Sequence, residues 1–232
     1  MAHPARGEHA RRLSADLGVP VTWDEEGPPS GAGDRVWRTA RRTWLAHDPD
    51  ADWHVLIQDD AYPCPDFLAG LAAALERVPT PAIVSPYLGK GRNVPNRWAA
   101  MADRADAQLA SWVRSTKVMW GVCLAAPVSL IPDMVTWCDR KAGMPDDMRL
   151  SSWAQRHHVE VWYTWPSLVD HGTEASLTKH RAADRVARRH HQGSALELSW
   201  GGPVVDDPMT IRRRGPRSGP RGAWQGSMAP VA

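Results

Sequence analysis

Trp53-His54-Val55-Leu56-Ile57-Gln58-Asp59-Asp60 is the stretch on which the fold turns. Val55, Leu56 and Ile57 form an unbroken apolar run that ends abruptly in two acids. A strand without polar alternation is buried on both faces, as in a parallel sheet covered by helices. Residues 61–65 turn the chain. Asp66 then opens a helix through Leu68, Leu71 and Leu75 to Arg77. Downstream, residues 82–88 read as a strand, 89–96 as a loop and 97–113 as a helix. Residues 118–126 read as a strand and 128–138 as a helix. Asp146 and Asp147 precede a helix that runs to about His157, and 159–164 is a strand of β-branched and aromatic residues. Upstream, 8–17 has helical spacing that stops at Gly18, and 19–23 is a short strand. Asp34 caps a helix over 35–46, with a Val36, Ala40, Trp44 stripe. Strands alternating with helices from residue 19 to about 165 predict an α/β layered fold with a mainly parallel sheet.

The rest of the chain fits that frame. It has 232 residues, 43% hydrophobic and 23% charged. That is enough for a core of its own and excludes collagen-like, coiled-coil and wholly disordered classes. No apolar window approaches the ~18 residues of a membrane span. The N-terminus is polar and lacks an apolar signal core, so a cytoplasmic location is expected. Cys64, Cys123 and Cys138 form no close pair, which argues against a disulfide framework and a zinc ribbon. Net charge is +2, but the basic residues are unevenly spread. Residues 181–199 read as a basic helical extension. Residues 200–232, with Arg212-Arg213-Arg214, read as a disordered basic tail able to contact nucleic acid phosphates.

Three polar elements stand where an α/β sheet binds its ligand, beyond the strand ends. Asp59 and Asp60 repel each other unless a cation or donors compensate, and hard oxygen ligands suit Mg²⁺ or Mn²⁺. Capping or a solvated turn would explain the pair equally well. Asp146-Asp147 at a helix start is either an N-cap or a general base presented at the site. His171, after the strand and a Pro turn, is either hydrogen-bonded at the surface or a nitrogen ligand to the same metal. The loop Lys90-Gly91-Arg92 is either solvated or a lid over phosphates.

In their order along the chain these elements resemble the GT-A class of nucleotide-sugar-dependent glycosyltransferases. Val55-Leu56-Ile57-Gln58-Asp59-Asp60 matches the DxD-like metal motif, Met144-Pro145-Asp146-Asp147 the xED-like motif, and Pro166-Ser167-Leu168-Val169-Asp170-His171 the C-terminal histidine motif. Trp120-Gly121-Val122-Cys123-Leu124 is similar to the acceptor-side strand. The resemblance is strongest to small actinobacterial and actinophage proteins of this kind. It covers about residues 1–180, read as one GT-A-like, Rossmann-like domain.

The resemblance implies roles. Asp60 would bind Mn²⁺ or Mg²⁺ bridging the diphosphate of a UDP- or GDP-sugar, and His171 would complete the metal site. Asp59 would orient the ribose or the metal's waters. Asp147, with Asp146 as second choice, would deprotonate the acceptor hydroxyl in an inverting transfer. Arg6, Asp34, Arg35 and Arg38 would approach the nucleotide. The acceptor is a glycan, a protein or a modified DNA base. Two departures stand out: Gln58 replaces the first acid of a strict DxD, and the first strand is nearly absent. They motivate a second expectation, an inactive module that binds a nucleotide sugar or glycan. The basic C-terminus motivates a third, a nucleic-acid-associated protein.

Overall fold

The computed structural model describes residues 1–24, 32–90, 96–172 and 185–209. Helices α1 (Gly7–Leu17) and α2 (Ala32–Leu45) precede strand β1 (Trp53–Ile57). Next come β2 (Ala61–Pro63), α3 (Phe67–Leu75), β3 (Ala82–Ser85), α4 (Asn96–Ala107) and β4 (Trp112–Ser115). The chain continues through β5 (Cys123–Pro127), α5 (Ile131–Asp139), α6 (Asp146–Arg156), β6 (Glu160–Thr164), β7 (Val169–His171) and β8 (Val204–Asp206).

Six strands form the main sheet in the order β1-β5-β3-β6-β4-β8. Strand periodicity divides the side chains between two cores. Leu56, Ile83, Leu124, Val161 and Tyr163 face one way, toward Trp44, Trp98, Met134 and Trp153. Val84, Ala125, Trp112 and Trp162 face the other, toward Phe67, Leu71 and Trp200. The sheet is thus covered on both faces, and the α/β layering read from the unbroken apolar runs is present.

The strand directions differ from the expectation. β3 and β6 are parallel, as are β4 and β8, but β1/β5, β3/β5 and β4/β6 are antiparallel. The sheet is mixed rather than mainly parallel. One cause lies at the end of α4. The helix predicted to reach residue 113 stops at Ala107, and Leu109 takes φ 49°, which reverses the chain into β4. Trp112 and Val113 continue the helix's apolar spacing, so their membership of a strand is hidden in the sequence.

The C-terminal reading also changes. Residues 185–191 form no helix; they follow a bent path held by two isolated bridges. Arg188 N–H donates to Leu88 O (2.8 Å) and Ser167 N–H to Arg189 O (2.8 Å). Bridges join Ala187 to Gly89 and His190 to Ser167. Ordered structure continues past residue 200, because Trp200 packs 5.4 Å from the Trp112 ring and β8 adds a strand beside β4. Residues 181–184 and 210–232, and Gly91 and Arg92 of the expected lid, lie outside the described residues. Among the described residues no helix is long and apolar enough to cross a membrane.

Two small pairings frame the site. β2 and β7 form an antiparallel ribbon with Ala61 opposite His171. At the N-terminus, Ala2 bridges Trp23, where the sequence suggested a strand over 19–23.

Candidate active site

Among the described residues β1 is an edge strand, paired with β5 alone. Gln58 N–H still donates to Val122 O (2.9 Å), and Ala61 N–H then closes a turn on Gln58 O (3.2 Å). Asp59 and Asp60 occupy the tip of that turn, 7% and 6% exposed. Asp59 accepts the His3 backbone N–H at 2.6 Å through Oδ2 and Arg6 Nη1 at 3.0 Å through Oδ1. The same Arg6 nitrogen also donates to Asp60 Oδ2. A single guanidinium nitrogen therefore bridges two buried carboxylates. Burial on its own would lift the Asp60 carboxyl, but His171 and Arg6 outweigh it and hold the group below the ordinary carboxylate range. Arg6 shows the converse balance: burial disfavours its charge, and Asp60 and Asp59 hold it protonated more firmly than usual.

The ribbon supplies the histidine. With Ala61 opposite His171, and Gly172 N–H donating to Asp60 O (2.9 Å), the imidazole lies beside the carboxylate. His171 Nε2 stands 3.1 Å from Asp60 Oδ2. Its Nδ1 is 2.7 Å from Gly172 O, which can only accept, so Nδ1 carries a proton; with Nε2 also protonated the imidazolium donates to Asp60 Oδ2, and loss of that second proton frees a lone pair on Nε2. Arg185 Nη1 lies 3.2 Å from that Nε2 and 3.8 Å from Asp60 Oδ2. The sequence reading missed Arg185, because it is one of several arginines in a stretch read as a solvated helix. Its position comes from Asp170, whose Oδ1 accepts both His171 N–H (2.8 Å) and Ala187 N–H (2.6 Å). Tyr87 donates its hydroxyl to Arg185 O and sets its ring 5.8 Å from Trp120. Together they wall the site.

The second acidic pair lies at the N-terminus of α6, across Gly121. A Cβ on Gly121 would stand 2.7 Å from Asp146 Oδ2 and 3.0 Å from Gln58 Nε2. Any larger residue there would push the Asp146 carboxylate and the Gln58 amide aside, so the glycine lets the α6 terminus approach the end of β1. Asp146 is the more buried acid and faces the strand end; Asp147 is half-buried and accepts Met148 N–H at 2.7 Å. Burial raises both carboxyls. For Asp147 the neighbouring Asp146 adds to the effect, and the group is pushed up to about 7. Neither acts as an N-cap, since Pro145 holds that position.

The expected nucleotide residues divide. Arg6 is in the site. Arg35 Nε and Arg38 Nη2 hold buried Asp24 at 2.7 and 3.2 Å, and Arg35 also meets the His3 ring. They stand one residue's reach behind Asp59. Asp34 serves packing: it accepts Gly143 N–H at 2.7 Å and pairs with Arg149, tying α2 to the loop before Asp146.

The donors present fit a hard divalent ion. Asp60 Oδ1 is buried without a hydrogen-bond partner, and His171 Nε2, once deprotonated, would offer a nitrogen donor beside the same carboxylate. Ions of the Mg²⁺ and Mn²⁺ type commonly take one or two carboxylates and complete their shell with water and substrate phosphates. Among the described residues no group of three or more His, Cys, Asp or Glu side chains forms a ready-made cage. The chain would therefore furnish a partial shell. No protein-family model matches this chain, and no curated protein matches it in sequence.

Proposed function

We propose that this protein is a metal-dependent glycosyltransferase that moves a sugar from a nucleotide-diphosphate sugar to an acceptor hydroxyl, with a GT-A-like arrangement of its site. The observation that carries the reading is the meeting of Asp60 and His171 on the β2–β7 ribbon, with a second, more weakly acidic pair across Gly121. One carboxylate cannot serve both a metal and a proton, because metal binding lowers its basicity. Two acidic groups in different environments divide the work.

Asp60 and His171 would hold the Mn²⁺ or Mg²⁺, which supplies positive charge to the departing diphosphate. Asp59, held by His3 N–H and Arg6, orients the donor. The acceptor oxygen forms a bond to the anomeric carbon while the bond from that carbon to the phosphate oxygen breaks and its electron pair leaves with the diphosphate. The acceptor proton passes to the Asp146–Asp147 pair. Attack opposite the leaving group inverts the anomeric centre. A carboxyl near pH 7 is a fit base for this step, since it is ionised at working pH yet basic enough to take the proton.

A second reading, an inactive nucleotide-sugar or glycan-binding module, draws on Arg6 bridging the two acids where a cation would sit. Calorimetry with UDP and GDP plus Mn²⁺, followed by a donor-hydrolysis and transfer panel, separates the two. The transferase binds a nucleotide only with metal and turns a donor over; Asp60→Ala loses the metal-dependent binding. Binding without turnover of any donor favours the module, and unchanged affinity in Asp60→Ala removes Asp60 as a ligand.

A further inference from the structure

We infer that Arg6 is a built-in cation that holds the Asp59–Asp60 pair until a divalent ion arrives, and that the ion enters only by exchange with the Arg6 guanidinium. The inference deepens the proposed function and rests on its reading of Asp60 and His171 as metal ligands. Arg6 Nη1 lies 3.0 Å from Asp59 Oδ1 and hydrogen-bonds Asp60 Oδ2 as well. It places its positive charge on the Asp60 carboxylate, where a divalent ion held by Asp60 and His171 would compete with it. Asp60 Oδ1, buried and without a hydrogen-bond partner, marks a binding direction that Arg6 leaves unused. Two buried adjacent carboxylates without a cation would repel each other strongly, so the site needs a counter-charge in either state. It cannot keep both cations on the same oxygens, because a guanidinium and a divalent ion at that range repel.

The route for exchange is visible. Arg6 is the last residue of a one-turn helix, Pro4–Arg6, and the N-cap of α1, where it makes no side-chain cap bond. Its side chain is 14% exposed, so it lies at the rim. Rotation of the side chain would carry the guanidinium toward solvent and release the Pro4–Arg6 turn from its tie to Asp59 and Asp60, loosening the backbone around it. Arg185 is the rival for this role. Its Nη1 stands 3.8 Å from Asp60 Oδ2 but 3.2 Å from His171 Nε2, so it is positioned to stay on His171.

Titration of the full-length protein with Mn²⁺ alone, read by the electron-paramagnetic signal of free Mn²⁺, tests the exchange. Arg6→Met is expected to bind Mn²⁺ about tenfold or more tighter than the wild type, and Arg185→Met is not. In the wild type, Mn²⁺ is expected to increase amide hydrogen exchange over residues 1–10, a readout that does not depend on the variants folding. Equal or weaker binding by Arg6→Met, a gain confined to Arg185→Met, or unchanged or lowered exchange over residues 1–10 overturns the exchange and leaves the ligand assignment standing. Absence of Mn²⁺ binding in wild type and Arg6→Met alike overturns both.

Discussion

Asp147 lies in the first turn of a helix, where backbone N–H groups favour a carboxylate, yet its carboxyl is pushed up to about 7. Burial and Asp146 defeat the helix. An acid whose native pKa lies above its unfolded value of about 3.9 stabilises the fold when protonated. That stability is complete below about pH 4 and is lost as the pH rises through about 7. Asp147→Asn is therefore expected to raise Tm by a few degrees at pH 8, with the gain shrinking toward pH 4, in paired melting curves. The same substitution should leave donor binding intact and stop transfer. Wild-type kcat/KM should rise with pH through about 7, as a base demands; a flat profile or an active Asp147→Asn enzyme removes the pair from catalysis. Gly121→Ala should drive a methyl into the Asp146 carboxyl and Gln58 amide, and lower Tm or displace α6. At this scale the sequence was informative where a polar residue ended an apolar run: Asp59, Asp60 and His171 stand where the runs stop. Arg185 carried no such signal, since its place depends on a backbone path that a basic stretch does not encode.

Among the elements, the β2–β7 ribbon matters most, and it is only three residues per strand. It joins Asp60 to His171, and Asp170 extends its hold to the segment that carries Arg185. Asp170 Oδ1 accepts two backbone N–H groups, so Asp170→Ala leaves both without their acceptor, a loss of ~1–3 kcal/mol for a buried group. Amide exchange over residues 185–191 should rise in Asp170→Ala and stay near wild type in Asp170→Asn, whose amide oxygen can still accept. Equal exchange in both variants would show that the bridges to Gly89 and Ser167 suffice. Such short pairings escape a reading based on periodicity, because three residues make no pattern. The longer elements were legible: α1, α2, β1, α3, β6 and the helix opening at Asp146 stand close to their expected bounds. Strand direction was not, since an apolar run reads the same either way. β4 was lost inside a helical spacing that Trp112 happens to continue.

Across the whole molecule, the question is where the folded unit ends. A boundary at residue 200 follows from composition, because Gly, Pro and Arg dominate from there. Packing sets it later. Trp200 and Val205 are buried against the sheet, and Arg114 holds Asp206 through two nitrogens at 2.5 and 2.8 Å. Asp207, 1% exposed, accepts the Ser115 hydroxyl at 2.9 Å and the Met209 N–H at 3.0 Å. These contacts close the β4 edge, which would otherwise present unpaired backbone groups. A chain ending at Met209 keeps all of them, and a chain ending at Ser199 loses all of them. Burying two large apolar side chains is worth ~1.5–3 kcal/mol each, and a change of ~1 kcal/mol moves Tm by ~2–4 °C at this length. The shorter chain should therefore melt about 6 °C or more below the longer one, or fail to fold. The chain ending at Met209, set against the full chain, also decides the nucleic-acid expectation on fair terms, because deletion from residue 200 confounds loss of Arg212-Arg213-Arg214 with damage to the sheet. If the basic C-terminus binds phosphate backbones, DNA retention measured against salt should be present in the full chain and lost in the chain ending at Met209 while its fold survives. Retention that persists in the Met209 chain would move the DNA contact to the folded domain, and equal melting of the two truncations would show that β8 contributes little to the sheet.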